Sequence, residues 1–291
     1  MPGRVWKTMF KILFSILLNR MTYFKTFPPC PELAEIVDFY WRSIITLSES
    51  LSQEVPTPLM QGMTFNLNAL AEDMIFPERK LTMKKYCYLF GQPVKPRISL
   101  SNPRGIDILG VKFKAMGIHR LTGLNMRYLA DDIIEADSVW GNEVELLCEQ
   151  MYEASGTGEM IWMLEKFLTG KLRQQQKKRN NLAMAGALEL MGGKKFYTLK
   201  AIQEMTFTSK KTLERYFLDQ VGLPPKRYAR ICRFNLVKNM FDQQPGMNWQ
   251  EIAFQLGYYD QSHFIKEFKE FSGKTPNEYC ASRLLESSAL F

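Results

Sequence analysis

The chain has 291 residues, 46% of them hydrophobic, 13% aromatic and 23% charged, with a formal net charge of +8. This length predicts two globular domains, and the composition excludes disordered, collagen-like and disulfide-stapled classes. Five cysteines lie at least 48 residues apart with no C-x-x-C pair, so free thiols in a reducing compartment are expected rather than a disulfide framework or a zinc ribbon. The two histidines, His119 and His263, leave no multi-histidine metal site and few candidates for a general base; no metal, no cofactor and no enzymatic activity are expected.

Charge is unevenly placed. Residues 1–170 carry 18 Lys and Arg against 19 acidic residues, whereas residues 177–291 carry 18 against 11. A polyanion is the expected partner of the C-terminal part, with a solvated basic face as the alternative. Residues 9–18 (MFKILFSILL) are apolar but too short to cross a bilayer. No A-x-A cleavage pattern follows them, so residues 1–23 are treated as an N-terminal extension and the protein as cytoplasmic, without membrane contact.

From residue 24 to about 135, prolines punctuate short apolar runs, predicting strands and turns. Ile106 and Ile108, then Val111 and Phe113, alternate with small or polar neighbours, and Gly110 shifts the phase as a bulge would. Residues 143–153 and 159–171 carry apolar side chains at three- and four-residue spacing, predicting amphipathic helices. A sensor or dimerisation domain over 24–170 follows, then a polar, basic linker over 171–181. Further on, helix starts and stops become explicit. Asn180 or Asn181 caps a helix ending at Gly192-Gly193, and Thr198, Ser209, Asn248 and Asp260 are N-caps. Gly222, Gly257 and Gly273 are stops, and Thr275-Pro276-Asn277-Glu278 is a capping box.

Sliding the C-terminal region by 51 residues superposes Met205 on Leu256, Phe207 on Tyr258, Leu213 on Phe264, Phe217 on Phe268, Gly222 on Gly273 and Pro225 on Pro276. Apolar positions and helix breakers repeat together, so each copy is a short helix, a turn and a second helix with one apolar face. The copies span about 198–222 and 249–273 and are joined by a helix over 226–242, roughly 25 Å long at 1.5 Å per residue. Held on such a rod, two reading helices suit successive major grooves, which recur about every 34 Å. The second helix of each copy leaves polar and basic residues off its apolar face: Lys211, Thr212 and Arg215, then Gln261, Ser262, His263 and Lys266. These types hydrogen-bond base edges in the major groove. Arg215 and Lys266 suit either a base or a phosphate. Ser209, Lys210, Lys226, Arg227 and Lys274 are assigned to phosphates, with plain solvation as the alternative.

Trp249–Tyr279 (WQEIAFQLGYYDQSHFIKEFKEFSGKTPNEY) and, less closely, Leu199–Ile231 resemble the double helix-turn-helix domain of the AraC/XylS family of bacterial transcription regulators. The motif is carried by Ile252, Ala253, Gly257, Tyr258, Asp260, Ser262, Phe264, Phe268, Lys269, Gly273, Thr275 and Pro276. In the first copy Thr206 stands where the second has Gly257, which predicts a strained or altered turn. Pro28–Ser43 and Gly110–Gly123 resemble uncharacterised sensor domains of that family. The resemblance implies an α+β protein, with a β-rich, cupin-like barrel and flanking helices followed by an all-α DNA-binding domain over 182–286. It also implies double-stranded DNA and RNA polymerase as partners, a small-molecule effector, a homodimer, and activation as the outcome. Tyr40, Trp41, Phe65, Tyr86, Tyr88 and His119 are the candidate lining of an effector pocket, with core packing as the alternative. A second reading makes the N-terminal part an enzyme or small-molecule-binding domain delivered to DNA by the basic module.

Overall fold

The computed structural model describes residues 21–45, 54–55, 61–67, 72–75, 80–83, 86–92, 98–101, 106–175, 187–188, 191, 197–243 and 249–281. The expected linker residues 176–181, the Asn180/Asn181 and Asn248 caps and residues 1–20 lie outside them. The architecture is α+β, two antiparallel sheets followed by helices.

Six strands form the larger sheet: β1 (Met21–Phe27), β2 (Val37–Ile45), β9 (Ile106–Phe113), β4 (Gln61–Asn66), β7 (Cys87–Phe90) and β10 (Ile133–Glu135), in that spatial order. The smaller sheet takes β3 (Glu54–Val55), β8 (Ile98–Ser101), β5 (Glu72–Ile75) and β6 (Lys80–Met83). Because β1 starts at Met21, residues 21–23 belong to the sheet and not to an N-terminal extension. Four helices follow β9: α1 (Gly117–Thr122), α2 (Asp137–Trp140), α3 (Asn142–Glu153) and α4 (Thr157–Gln175). The start of the expected linker is the last turn of α4, in which Leu172 is buried in the core and the buried Lys171 reaches Glu143 at 2.5 Å.

Side chains alternate across a strand, so the sheet has two distinct faces. Tyr40, Met63, Phe65, Cys87, Leu89, Leu109, Val111 and Phe113 share one buried cluster with Val144, Leu147, Met151, Leu164 and Leu168 of α3 and α4. At roughly 1.5–3 kcal/mol per large apolar side chain, this cluster is the main stabilisation of the N-terminal part. Arg42 ties the two layers at one edge, with two bonds to Asp107 (3.0 and 3.1 Å) and one to the Thr157 hydroxyl at 2.7 Å. The other face carries Phe39, Trp41, Tyr88 and Lys112, also buried. Lys112 is paired there with Asp38 at 3.0 Å, and its burial pushes its pKa down.

Two expectations are corrected by this sheet. Gly110 is not a bulge: β9 pairs β4 without a register shift, and the irregularity lies at Val37/Phe39 on β2. Glycine is required at 110 because the Trp41 ring lies over it; a Cβ there would meet Trp41 Cε2 at 2.1 Å. Nor do the six pocket candidates line one pocket. Tyr40 and Phe65 face the helices, whereas their neighbours Trp41 and Tyr88 project from the opposite face. Tyr86 is exposed and meets Tyr152 edge-on at 5.3 Å, beside a crevice with Phe65 and Cys148 that has no room for a water molecule. His119 sits on α1 with Nδ1 2.8 Å from the Leu124 carbonyl oxygen.

Gly110→Ala is expected to lower stability by about 1–3 kcal/mol, the usual cost of forcing atoms into a packed core. A fall in the urea midpoint measures it, and an unchanged midpoint would contradict the close approach of Trp41.

Candidate nucleic-acid interface

Helices α5 (Leu199–Thr206) and α6 (Lys210–Gln220) form the first unit, α7 (Pro225–Gln243) joins, and α8 (Trp249–Gln255) and α9 (Gln261–Ser272) form the second. The caps follow the sequence reading. The Thr198, Ser209 and Asp260 side chains accept from the N–H groups of Ala201, Thr212 and His263, and Gly222, Gly257 and Gly273 have positive φ. Thr275 and Glu278 bond reciprocally, and the two Thr275 donors hold the Glu278 carboxyl below the usual carboxylate range.

In the second unit, Phe264, Phe268 and Phe271 are buried against Phe234 of α7 and against Trp249, which stacks on Phe241 at 4.5 Å. Helical spacing then leaves Gln261, Ser262, His263 and Lys266 on the other side, and all four are exposed. Glu267 is the exception on the apolar face, 1% exposed between Phe264 and Phe268. Its carboxylate accepts from Arg230 Nε (2.6 Å), from Arg233 Nε and Nη2 (2.8–3.1 Å) and from the Tyr258 hydroxyl (2.7 Å). The Arg233 guanidinium also lies 3.9 Å from the centre of the Tyr258 ring. This buried cluster bolts α9 to α7, and a second bond from Arg230 reaches Glu270 at 2.5 Å. Sequence reading missed it. The available signal was an acid on an otherwise apolar stripe, matched by two arginines nearly one turn apart.

The first unit has no such cluster among the described residues; position 216, equivalent to 267, is tyrosine. Leu213 and Phe217 are buried, with Phe217 edge-on to Tyr228 of α7 at 5.5 Å. Lys211 and Arg215 are exposed and Thr212 is half-buried, its hydroxyl accepting from Ser209 at 2.9 Å. The altered turn is present, one residue later than its sequence equivalent. α5 runs through Thr206, and Phe207 takes the left-handed conformation at φ +51. Phe207 is 97% exposed whereas its sequence partner Tyr258 is buried, and Met205 is exposed where Leu256 is buried, so the 51-residue equivalence fails in burial at both positions before the turn.

Of the expected phosphate contacts, Lys210, Lys226 and Lys274 are exposed. Ser209 is exposed and uses its hydroxyl as the cap of α6, and Arg227 is half-buried with its Nε enclosed, turned away from solvent. Among the described residues no group of three His, Cys, Asp or Glu side chains is placed to hold a metal ion. No described helix is long and apolar enough to cross a membrane.

Glu267→Ala strands Arg233 in the interior, and removing one partner of a buried ion pair costs about 3–5 kcal/mol. The urea midpoint should fall accordingly, and a loss below 1 kcal/mol would mean that the cluster is not a fastening. Phe207→Gly is expected to stabilise by about 0.5–1 kcal/mol, since glycine enters the left-handed region without a Cβ penalty and no buried contact is lost. A raised Tm is the measurement.

Residues 203–282 match a family model described as a helix-turn-helix domain, and residues 25–135 match one described as a domain of unknown function (DUF6597). The uncharacterized HTH-type transcriptional regulator YbfI of Bacillus subtilis is 40% identical over 66 residues, which is 23% of this chain and 23% of that one, so the match spans about a quarter of the relative's length. Among solved structures, ToxT from Vibrio cholerae O395 is similar at 14% identity and a TM-score of 0.44 over 83% of this chain and 96% of that one. The AraC-like transcriptional activator CuxR is similar at 12% identity and a TM-score of 0.34, over 82% and 92%. The segment matched by the helix-turn-helix model holds the motif residues on two capped helices whose basic sides face outward.

Proposed function

We propose that the chain is a sequence-specific reader of double-stranded DNA that activates transcription, and that it does so in the cytoplasm and not as an enzyme. One observation carries the reading. The second helix of each unit buries one apolar face and leaves exposed basic side chains at repeat-equivalent positions, Arg215 and Lys266. Lys211, Thr212, Arg215, Gln261, Ser262, His263 and Lys266 are the proposed base-reading set. A bidentate arginine to guanine contributes about 1–3 kcal/mol of discrimination. Lys210, Lys226 and Lys274 are the proposed phosphate contacts, with Ser209 in the weaker role of a cap beside the backbone.

The division of labour proposed is a sensor or dimerisation domain over 24–170 and a DNA-binding domain over 182–286. An effector or a second copy that binds one domain arrangement better than another shifts the population towards it. Contact with RNA polymerase is the proposed route from binding to activation.

Selection of duplexes from a random pool by the full chain tests the reading. The expected winner has two short elements about one helical turn apart. Arg215→Ala combined with Lys266→Ala should abolish the preference and leave the urea midpoint in place; survival of specific binding would displace these helices as readers. Lys226→Ala with Lys274→Ala should weaken binding to all sequences alike and lower the slope of log K against log salt by about 2, roughly one per phosphate contact.

A further inference from the structure

The two reading helices are held in different ways, and the first is held partly by the sensor region. α6 points its N-terminal half, with Lys211 and Arg215, to solvent, and its C-terminal end abuts the segment between α1 and β10. There Asp219 Oδ1 accepts from Asn125 Nδ2 at 3.1 Å and from Arg127 Nη2 at 3.4 Å. One turn on, the bend that closes α6 is pressed against the same segment. Gly222, at φ +85, lies so near that a Cβ would meet the Met126 carbonyl oxygen at 2.7 Å. The third contact is buried. Gln61 of β4, 2% exposed, sends its single Nε2 to both the Ala115 carbonyl oxygen (2.7 Å) and the Val221 carbonyl oxygen (3.3 Å). Ala115 and Met116 of the sensor region also pack on the apolar cluster of the helix-turn-helix domain.

We propose that Gln61, Arg127 and the Met126 backbone are positioning elements for the first reading helix, so that recognition of one half of the DNA site depends on the sensor region while recognition of the other does not. This rests on the DNA-reading function proposed above. Asp219 lies one turn beyond Arg215 on the same side of α6, yet Lys211 and Arg215 themselves stay exposed, so the docking does not cover the reading side chains; it fixes the angle at which they are presented. Exposed ion pairs such as Arg127–Asp219 contribute little singly. The weight falls on Gln61, whose removal leaves the buried Val221 carbonyl oxygen and the partly buried Ala115 carbonyl oxygen without this donor. α9 is immune to this docking because Glu267 ties it to α7. An effector that moves β4 or the 115–129 segment therefore has a direct mechanical route to one reading helix.

The full chain carrying Gln61→Leu is compared with wild type on three duplexes: the selected site, the site with the first unit's element scrambled, and the site with the second unit's element scrambled. Arg127→Glu, on the surface, serves as the second variant should Gln61→Leu lower the urea midpoint. The expected result is a loss of roughly three- to tenfold on the selected site, the size of one net hydrogen bond. That loss should disappear on the duplex whose first element is scrambled and persist on the other. Equal losses on all three duplexes would show a merely structural effect and overturn the proposal. So would unchanged binding, or tighter binding, which would make the docking an inhibitor. Hydrogen exchange of the amides at 216–223 without DNA gives a readout independent of any site, and unchanged protection in both variants would also overturn it. If wild type selects no site at all, the DNA-reading function fails and takes this inference with it. Selection with unaltered first-element discrimination in the variants removes the inference alone.

Discussion

A single buried carboxylate organises the helix-turn-helix domain. Glu267 sits on the apolar face of a helix whose outer face must remain free, and it is satisfied from three sides by Arg230, Arg233 and Tyr258. An ionised group in an interior is tolerated only when paired and hydrogen-bonded, so these partners cannot drift without a large penalty. The joining helix and α9 therefore behave as one piece, and the exposed side chains of Gln261, Ser262, His263 and Lys266 are presented at a fixed angle to it.

The internal repeat is symmetric in pattern and asymmetric in fastening. Both copies use a side-chain cap, an apolar stripe and a left-handed residue to close, because those are the local devices from which such a unit is built. They differ where the copies meet the rest of the chain. The second is closed by glycine and an ion cluster. The first bends at a fully exposed phenylalanine and leans on the N-terminal region through the end of α6. One unit is thereby rigid by itself, and the other takes its orientation from a neighbour.

The N-terminal sheet connects a tightly packed core to the helix-turn-helix domain. One face is filled by α3 and α4 and the other is lined by large aromatic side chains over glycine, which brings β2 and β9 together closely enough that Trp41 rests on Gly110. The strand that supplies Met63 and Phe65 to the core begins with Gln61, the residue that reaches the helix-turn-helix domain. A displacement along β4 is felt at both ends of one short strand, since packed interiors transmit strain instead of absorbing it.

Much of the helical half is legible in sequence because its signals are local. Caps, stops and three- or four-residue apolar spacing are set by neighbours within a turn, and the Thr275–Glu278 box and the Asp260 cap follow directly from that chemistry. The exposed polar and basic row is legible for the same reason, as the complement of the buried stripe. The sheet is less so. Strand residues buried on both faces lose the alternation by which a face is recognised, which is why Tyr40 and Trp41 read as one pocket although they project oppositely, and why Gly110 reads as a bulge although a distant tryptophan requires it. Sequence alone determined the two helix-turn-helix units, their exposed basic sides and the ends of their helices. Tertiary structure alone decided which side each sheet aromatic faces, that Glu267 is a fastening, and that Gln61 meets Val221 across 160 residues of chain, because each depends on partners that no local pattern specifies.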